Sequence, residues 1–387
     1  MDNAYVVAGA RTAVGKANRG TLANYRPDDM AAEVIKETVN RAGIDASHVE
    51  DVVLGCSIPE QAQGMNVARI AALRAGLPDS ISAATVNRFC ASGLEAISIA
   101  ASKVEAGLLN CAIAGGTESM SLVHMPGAKM SPNPYLTEHK PEVYINMGNA
   151  GDNVAKEYGY SREQIDEFAL ASNQKAVAAI DAGKFKDEIV PLDVPNGPAG
   201  PVVFDTDEGP RRETTLEGLA ALRPAFAASP KLGFHTAGSS SQMSDGAATV
   251  MVMSENAMKE HGATPLAKFR SYAVAADSPA YLGPAQLVAI PKACELAGIK
   301  VEDVDLFEIN EAFASVALHV IKNLKLDADK VNVNGGAIAL GHPLGCTGGK
   351  LTVQIINELK RRGGKYGVVT MCVGGGMGAA GIYELCD

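Results

Sequence analysis

The chain repeats itself. Ala42-Gly-Ile-Asp, followed by Val49-Glu-Asp-Val-Val-Leu54, matches Ala297-Gly-Ile-Lys-Val-Glu-Asp-Val-Asp-Leu306. Further on, Cys90-Ala-Ser-Gly93, a helical stretch, an apolar strand and Gly115-Gly116 are mirrored by Cys346-Thr-Gly-Gly349, helix, strand and Gly374-Gly375. The period is far too long for a solenoid, so the repeated unit is a βαβ-type domain. Two halves in which strands alternate with helices make an α/β architecture. Loops at the strand ends of two such halves naturally enclose a site between them.

Periodicity places the elements. Strands are expected at 4–8, 49–54, 111–116, 247–253, 265–276 and 366–371, and helices at 27–42, 66–75, 162–182, 284–297 and 349–361. A helix after Gly93 would carry Leu94, Ile97, Ala101, Val104 and Leu108 on one face. The segment 304–314 passes from strand to helix. Gly9 to Lys16 looks faintly like a phosphate loop, but five residues separate its glycines and Ala17 follows where Ser or Thr is needed, so a turn is expected. From 120 to 242 the texture shifts to Pro, Asn, Met and charge, with helices expected only around 154–157 and 162–182. That stretch reads as an insertion. It closes on a cluster of basic and hydroxyl residues around Arg211, Arg212, Arg223, Lys231 and His235 to Ser241, suited to phosphates.

Net charge is −10, from 34 Lys and Arg against 44 Asp and Glu, which argues against a broad nucleic-acid surface or an anionic membrane. Seven scattered cysteines without C-x-x-C or zinc spacing fit free thiols in a reducing compartment, with no metal. No apolar run approaches a membrane span and no secretory leader is evident, so a cytoplasmic protein is expected.

Three side chains carry the chemistry. Cys90 falls where a strand ends and a helix begins, so free N–H groups and the helix dipole favour its thiolate. His342 and Cys372 sit in glycine-rich turns at the ends of apolar segments. A Cys nucleophile needs a base, and His serves near neutral pH. A second thiol can give and take protons, and backbone N–H groups in glycine-rich turns can hold an oxyanion. Asn310 could hold a water. Acyl transfer through a thioester uses all of these; cysteine proteolysis leaves the second thiol without a task.

Val86-Asn-Arg-Phe-Cys-Ala-Ser-Gly93, Asn310-Glu-Ala-Phe-Ala314, Gly341-His-Pro-Leu-Gly345 and Cys372-Val-Gly-Gly-Gly376 together resemble the thiolase family, in order and spacing. The resemblance extends over the whole chain, including His235 to Ser241 and Asn332-Val-Asn-Gly-Gly-Ala337. Asn87-Arg88 and Gly345-Cys346-Thr347 are more similar to degradative 3-ketoacyl-CoA thiolases than to biosynthetic acetoacetyl-CoA thiolases. The resemblance implies a layered α/β/α/β/α core of two halves, residues 1–119 plus 243–267 and 268–387, with 120–242 as a loop domain over coenzyme A. It implies Cys90 as nucleophile, His342 as its activator, Asn310 as holder of a water, Cys372 as acid and base, and the N–H groups of Cys90 and Gly374 as oxyanion donors. Arg211, Ala237, Ser241, Ala312, Phe313 and Met147 match positions that hold CoA and substrate. CoA is then a substrate, with no tightly bound cofactor. A homodimer or homotetramer, and a fatty-acid β-oxidation enzyme as partner, are implied as well. Asn146, Gly218 and the shortened segment 277–284, which lacks a Met of the pantetheine tunnel, depart from the family pattern and bear on chain length and CoA contacts. The rival readings are an acetoacetyl-CoA thiolase working in the Claisen direction and a non-catalytic CoA or lipid carrier, which should have lost Cys90, His342 or Cys372.

Overall fold

A computed structural model describes residues 3–227 and 233–386. Lys231, one of the basic residues singled out above, lies outside the described residues. The first half comprises β1 (Ala4–Thr12), α1 (Pro27–Ala42), β2 (Asp51–Gly55), α2 (Val67–Arg74), β3 (Ser82–Val86), α3 (Ser92–Glu105) and β4 (Cys111–Ser119). Two longer helices follow, α4 (Met147–Tyr158) and α5 (Arg162–Asp181), before β5 (Ser244–Ser254). The second half contains β6 (Ala267–Ala276), α6 (Gln286–Ala297), β7 (Leu306–Ile309), α7 (Ala314–Asn323), α8 (Thr347–Arg362), β8 (Tyr366–Val373) and β9 (Met377–Leu385).

The main strands form one continuous sheet in the order β7-β8-β9-β6-β1-β5-β4-β2-β3. Its two halves share a topology. In the first, β1 pairs antiparallel with β5 and β5 with β4, whereas β4–β2 and β2–β3 are parallel. In the second, β6–β9 and β9–β8 are antiparallel and β8–β7 is parallel, and a parallel bridge from Phe307 to Val331 stands where the fifth strand would lie. Only Tyr5–Lys268 and Val6–Ala267 join the halves across β1 and β6.

Side chains alternate across each strand, which gives every strand two faces to bury. Cys111 and Ile113 of β4 pack outward with Met30, Val34 and Ile35 of α1; Ala112 and Ala114 pack inward with Leu94, Ile97 and Ala101 of α3 and Leu351 and Ile355 of α8. Beyond the second half-sheet, Val368 and Ile382 meet Ala289, Ile290 and Ala293 of α6 and Val320 of α7. The order outer helices, sheet, α3 with α8, sheet, outer helices is the five-layered core expected. Among the described residues no helix is long and apolar enough to cross a membrane.

Four local readings change. Residues 9–12 are strand, not turn: β1 runs through to Thr12, where Arg11 and Thr12 pair with Ile189 and Val190. Leu108 leaves the α3 face because Gly107, at φ 71°, reverses the chain after Glu105; Leu108 is 72% exposed. The insertion is better ordered than its composition suggests. Asn146 accepts the Gly148 N–H and starts α4 early, and short helices form at Pro134–His139 and Leu216–Ala220. Finally, the matching letters of the repeat are out of step in space. Val301–Asp303 form a 3-10 turn equivalent to Ala46–His48, so Val304, not Val301, stands where Val49 does.

Buried ion pairs fasten the 120–242 segment to the first half. Arg11, fully buried, donates to Glu188 at 2.8 Å and through both terminal nitrogens to Asp207 at 2.8 Å. Glu208 receives the N–H groups of Lys16 and Thr21 at 2.7 and 3.1 Å.

Candidate active site

Cys90 sits in a 3-10 turn, Phe89–Ala91, between β3 and α3. Phe89 adopts φ 44°, a left-handed conformation costly for a bulky side chain, and its neighbours hold it there. Asn87 accepts the Phe89 N–H at 2.8 Å; Ser92 accepts the Arg88 N–H at 2.9 Å and donates to the Phe89 carbonyl at 2.6 Å. The turn packs against β8, which carries Cys372, and against α8, which begins five residues after His342.

The backbone N–H groups of Cys90 and Gly374 bear on the Cys90 thiol, and Cys372 feels its charge. Cys90 is part-buried, and desolvation pushes its thiol up to about 12, with the two N–H groups pulling the other way. Cys372, 1% exposed, is raised further by burial and then by Cys90. It packs with Ala150, Leu282, Phe313, Val316 and the partly buried Met147. A Cβ placed on Gly374 would lie 3.4 Å from the Met147 sulfur and 3.5 Å from the Phe89 ring, so Met147 flanks this side of the site.

His342 follows Gly341, whose φ of 92° suits glycine, and it is buried. Its Nδ1 lies 2.6 Å from Thr347 Oγ1, and that hydroxyl donates to the Pro343 carbonyl at 2.9 Å. Thr347 is therefore the acceptor for Nδ1–H, which leaves the Nε2 lone pair to accept from Asn310 Nδ2. Asn310 Nδ2 stands 3.2 Å from Nε2, while Asn310 Oδ1 is buried without a protein partner, an arrangement suited to a bound water. Burial, and then the charge of Lys350, lower the imidazole to about 3, so it is neutral at physiological pH. Asn310 closes β7 and its N–H bonds to the Thr370 carbonyl, two residues before Cys372.

The two sides of the site meet through glycine. A Cβ on Gly93 would fall 2.6 Å from the Gly345 carbonyl oxygen, and one on Gly348 would fall 2.1 Å from the Leu94 nitrogen. The N-termini of α3 and α8 thus abut, backbone to backbone. Buried Glu118 stitches the same seam by accepting the N–H groups of Ser57 and Gly345 at 2.7 and 2.8 Å. Sequence reasoning assigned no role to Glu118 or Thr347. Thr347 could have been found from its place five residues after His342, at a helix start.

Of the expected CoA contacts, Arg211 and Ala237 line one cleft with Asn173, Thr214 and Leu219. Ser241 and the pair Ala312-Phe313 are joined by the Ser241 N–H to Ala312 carbonyl bond and by the Ser240–Phe313 bridge. Arg212 is turned away into a surface pair with Asp181. A roomier crevice of about 220 Å³, lined by Gly9, Arg41, Asp187, Val353 and Asn357, contains none of these residues or the reactive side chains.

Comparison with known proteins decides the family. Residues 4–256 match the thiolase N-terminal domain and residues 263–385 the thiolase C-terminal domain. The chain belongs to the thiolase family. It is 52% identical to the 3-ketoacyl-CoA thiolase of Bacillus subtilis, covering all of both chains, and 42% identical to the acetyl-CoA acetyltransferase of Escherichia coli K12, covering 99% of each. The crystal structure of the Bacillus anthracis acetyl-CoA acetyltransferase superposes with a TM-score of 0.91 at 41% identity, over 100% of this chain and 99% of that one. This thiolase is thus similar throughout to acyltransferases named for both directions of the chemistry.

Proposed function

We propose that this thiolase cleaves 3-ketoacyl-CoA with CoA, giving acetyl-CoA and an acyl-CoA two carbons shorter, through an acyl group carried on Cys90. The observation that carries the reading is the Cys90 thiol under the backbone N–H groups of Cys90 and Gly374, its charge felt by Cys372, in a chain that also holds His342 neutral and bonded to Asn310. His342 Nε2 takes the Cys90 proton as the sulfur attacks the 3-keto carbon. The C2–C3 bond breaks, the electron pair leaves as the acetyl-CoA enolate, and Cys372 protonates that carbon. The Cys372 thiolate then removes the proton of an incoming CoA thiol, whose sulfur attacks the thioester. Cys90 departs and recovers its proton from His342. Asn310 with a water, and His342, face the thioester oxygen; the N–H groups of Cys90 and Gly374 face the oxygen of the attacked carbonyl. Such a two-stage path is that of covalent catalysis.

In this reading Arg211, Ala237, Ser241, Ala312, Phe313 and Met147 hold CoA and the acyl chain, and residues 120–242 form a loop domain over them, between halves 1–119 with 243–267 and 268–387. CoA is a substrate, with no bound cofactor or metal. The enzyme works in the cytoplasm as a homodimer or homotetramer, alongside the enzymes of β-oxidation. The condensing direction is the second reading, supported by the relatives named acetyl-CoA acetyltransferase.

The test is rapid quenching with acetoacetyl-CoA and longer 3-ketoacyl-CoAs. A stoichiometric acyl group mapped to Cys90, released by CoA, is expected. Turnover without any acylated cysteine overturns the mechanism, and activity confined to acetoacetyl-CoA favours the biosynthetic reading.

A further inference from the structure

The nucleophile and one of its proposed oxyanion donors come from different halves of the chain, Cys90 from the first and Gly374 from the second. Their alignment depends on how the halves are registered. The halves share only two residue pairs in the sheet, Tyr5–Lys268 and Val6–Ala267. A side-chain chain crosses nearer the site. Arg88, two residues before Cys90, donates to Glu95 through Nε at 2.6 Å and Nη2 at 3.0 Å. Glu95 stands in the first turn of α3, where a carboxylate also suits the helix dipole. From the other half, Tyr272 of β6 donates its hydroxyl to the same carboxylate at 2.6 Å. Burial, and then the Glu95 charge, raise the Tyr272 phenol, so it remains a donor.

We propose that Glu95 is a positioning residue, holding Arg88 on one side and Tyr272 on the other so that the strained Cys90 turn is registered against Gly374 of the opposite half. Three observations carry this. The turn is strained at Phe89 and needs fixing. The other ties on it, from Asn87 to the Ser57 carbonyl and from Ser92 to Phe89, stay within the first half. Glu95 alone, of the side chains tied to the turn among the described residues, is also tied to the second half.

The inference rests on Cys90 being the nucleophile, and the experiment separates the two. Tyr272→Phe removes one hydroxyl from a part-buried site and should leave the fold intact; Glu95→Gln and Arg88→Gln complete the set. A misplaced reacting group of about 1 Å costs roughly 100-fold, so kcat and the single-turnover rate of Cys90 acylation are expected to fall roughly 10- to 100-fold. The KM values for CoA and 3-ketoacyl-CoA should stay within about twofold, as for an interaction felt only in the transition state. The Arg88→Gln/Tyr272→Phe double variant should be little worse than the poorer single variant, because both act through one carboxylate. Wild-type kcat per titrated Cys90 with only a lowered thermal midpoint, or losses that add fully, overturns the inference and leaves the nucleophile assignment standing. Thiolysis that survives Cys90→Ser overturns that assignment and this inference with it.

Discussion

His342 Nδ1 and Thr347 Oγ1 lie 2.6 Å apart, and the threonine hydroxyl is committed to the Pro343 carbonyl. The direction of that second bond sets the tautomer of the first: the proton sits on Nδ1, and Nε2 is the basic nitrogen. A threonine at the start of α8 thus decides which way the imidazole faces the chemistry.

Thr347→Val, which keeps shape and removes the hydroxyl, should therefore lower kcat by about 10- to 100-fold, the range for disturbing a general base. Thr347→Ser should retain most of the activity. Steady-state kinetics of the two variants check this; equal activity of both would remove Thr347 from the account.

The pH dependence follows from the directions of the shifts. His342 is lowered to about 3 and Cys90 raised to about 12, so the resting pair is neutral imidazole and neutral thiol. Alkylation of Cys90 by iodoacetamide in the free enzyme should rise about tenfold per pH unit from pH 7 to 9 without levelling. A plateau below pH 8 would reveal a thiolate–imidazolium pair instead. For stability, the unfolded imidazole takes a proton near pH 6.5 and the buried one only near pH 3. This contribution is present in full above pH 6.5 and is lost as pH falls toward 3.

Cys372→Ala removes the proposed proton carrier and leaves the proposed nucleophile. Turnover should fall by several orders of magnitude, about the 10²–10⁴ of general acid–base catalysis for each proton transfer lost. Slow, single labelling of Cys90 by an acyl-CoA thioester should persist. Cys90→Ser should bind CoA, by calorimetry, and form no acyl-enzyme.

Arg11→Met leaves Glu188 and Asp207 buried without the cation that hydrogen-bonds them. Breaking a buried pair from one side costs about 3–5 kcal/mol, so the urea midpoint should drop markedly. Limited proteolysis should then cut within 120–242, the segment that Arg11 fastens. An unchanged midpoint would mean that Lys350, which also faces Asp207 and Glu188, carries the cluster alone.

The sequence by itself determined the repeat and most helices and strands, and it singled out Cys90, His342 and Cys372 as candidate reactive side chains. Helix α1 begins and ends where read because Pro27 can open a helix and Gly43, at φ 68°, closes it; those signals are local. Strand β9 was not foreseen. Met377 to Leu385 is poor in branched residues because α6 and α3 press on it: a Cβ on Gly378 would fall 2.8 Å from the Gln286 nitrogen, and one on Gly381 3.0 Å from Leu94. Arg11, in a stretch read as a turn, is fully buried through partners at 188 and 207. The N–H of Gly374 on Cys90 and the Glu118 stitch likewise join residues far apart along the chain. Composition and periodicity report what each segment prefers alone. Which N–H meets which sulfur is decided only when two half-sheets close on the abutting ends of α3 and α8.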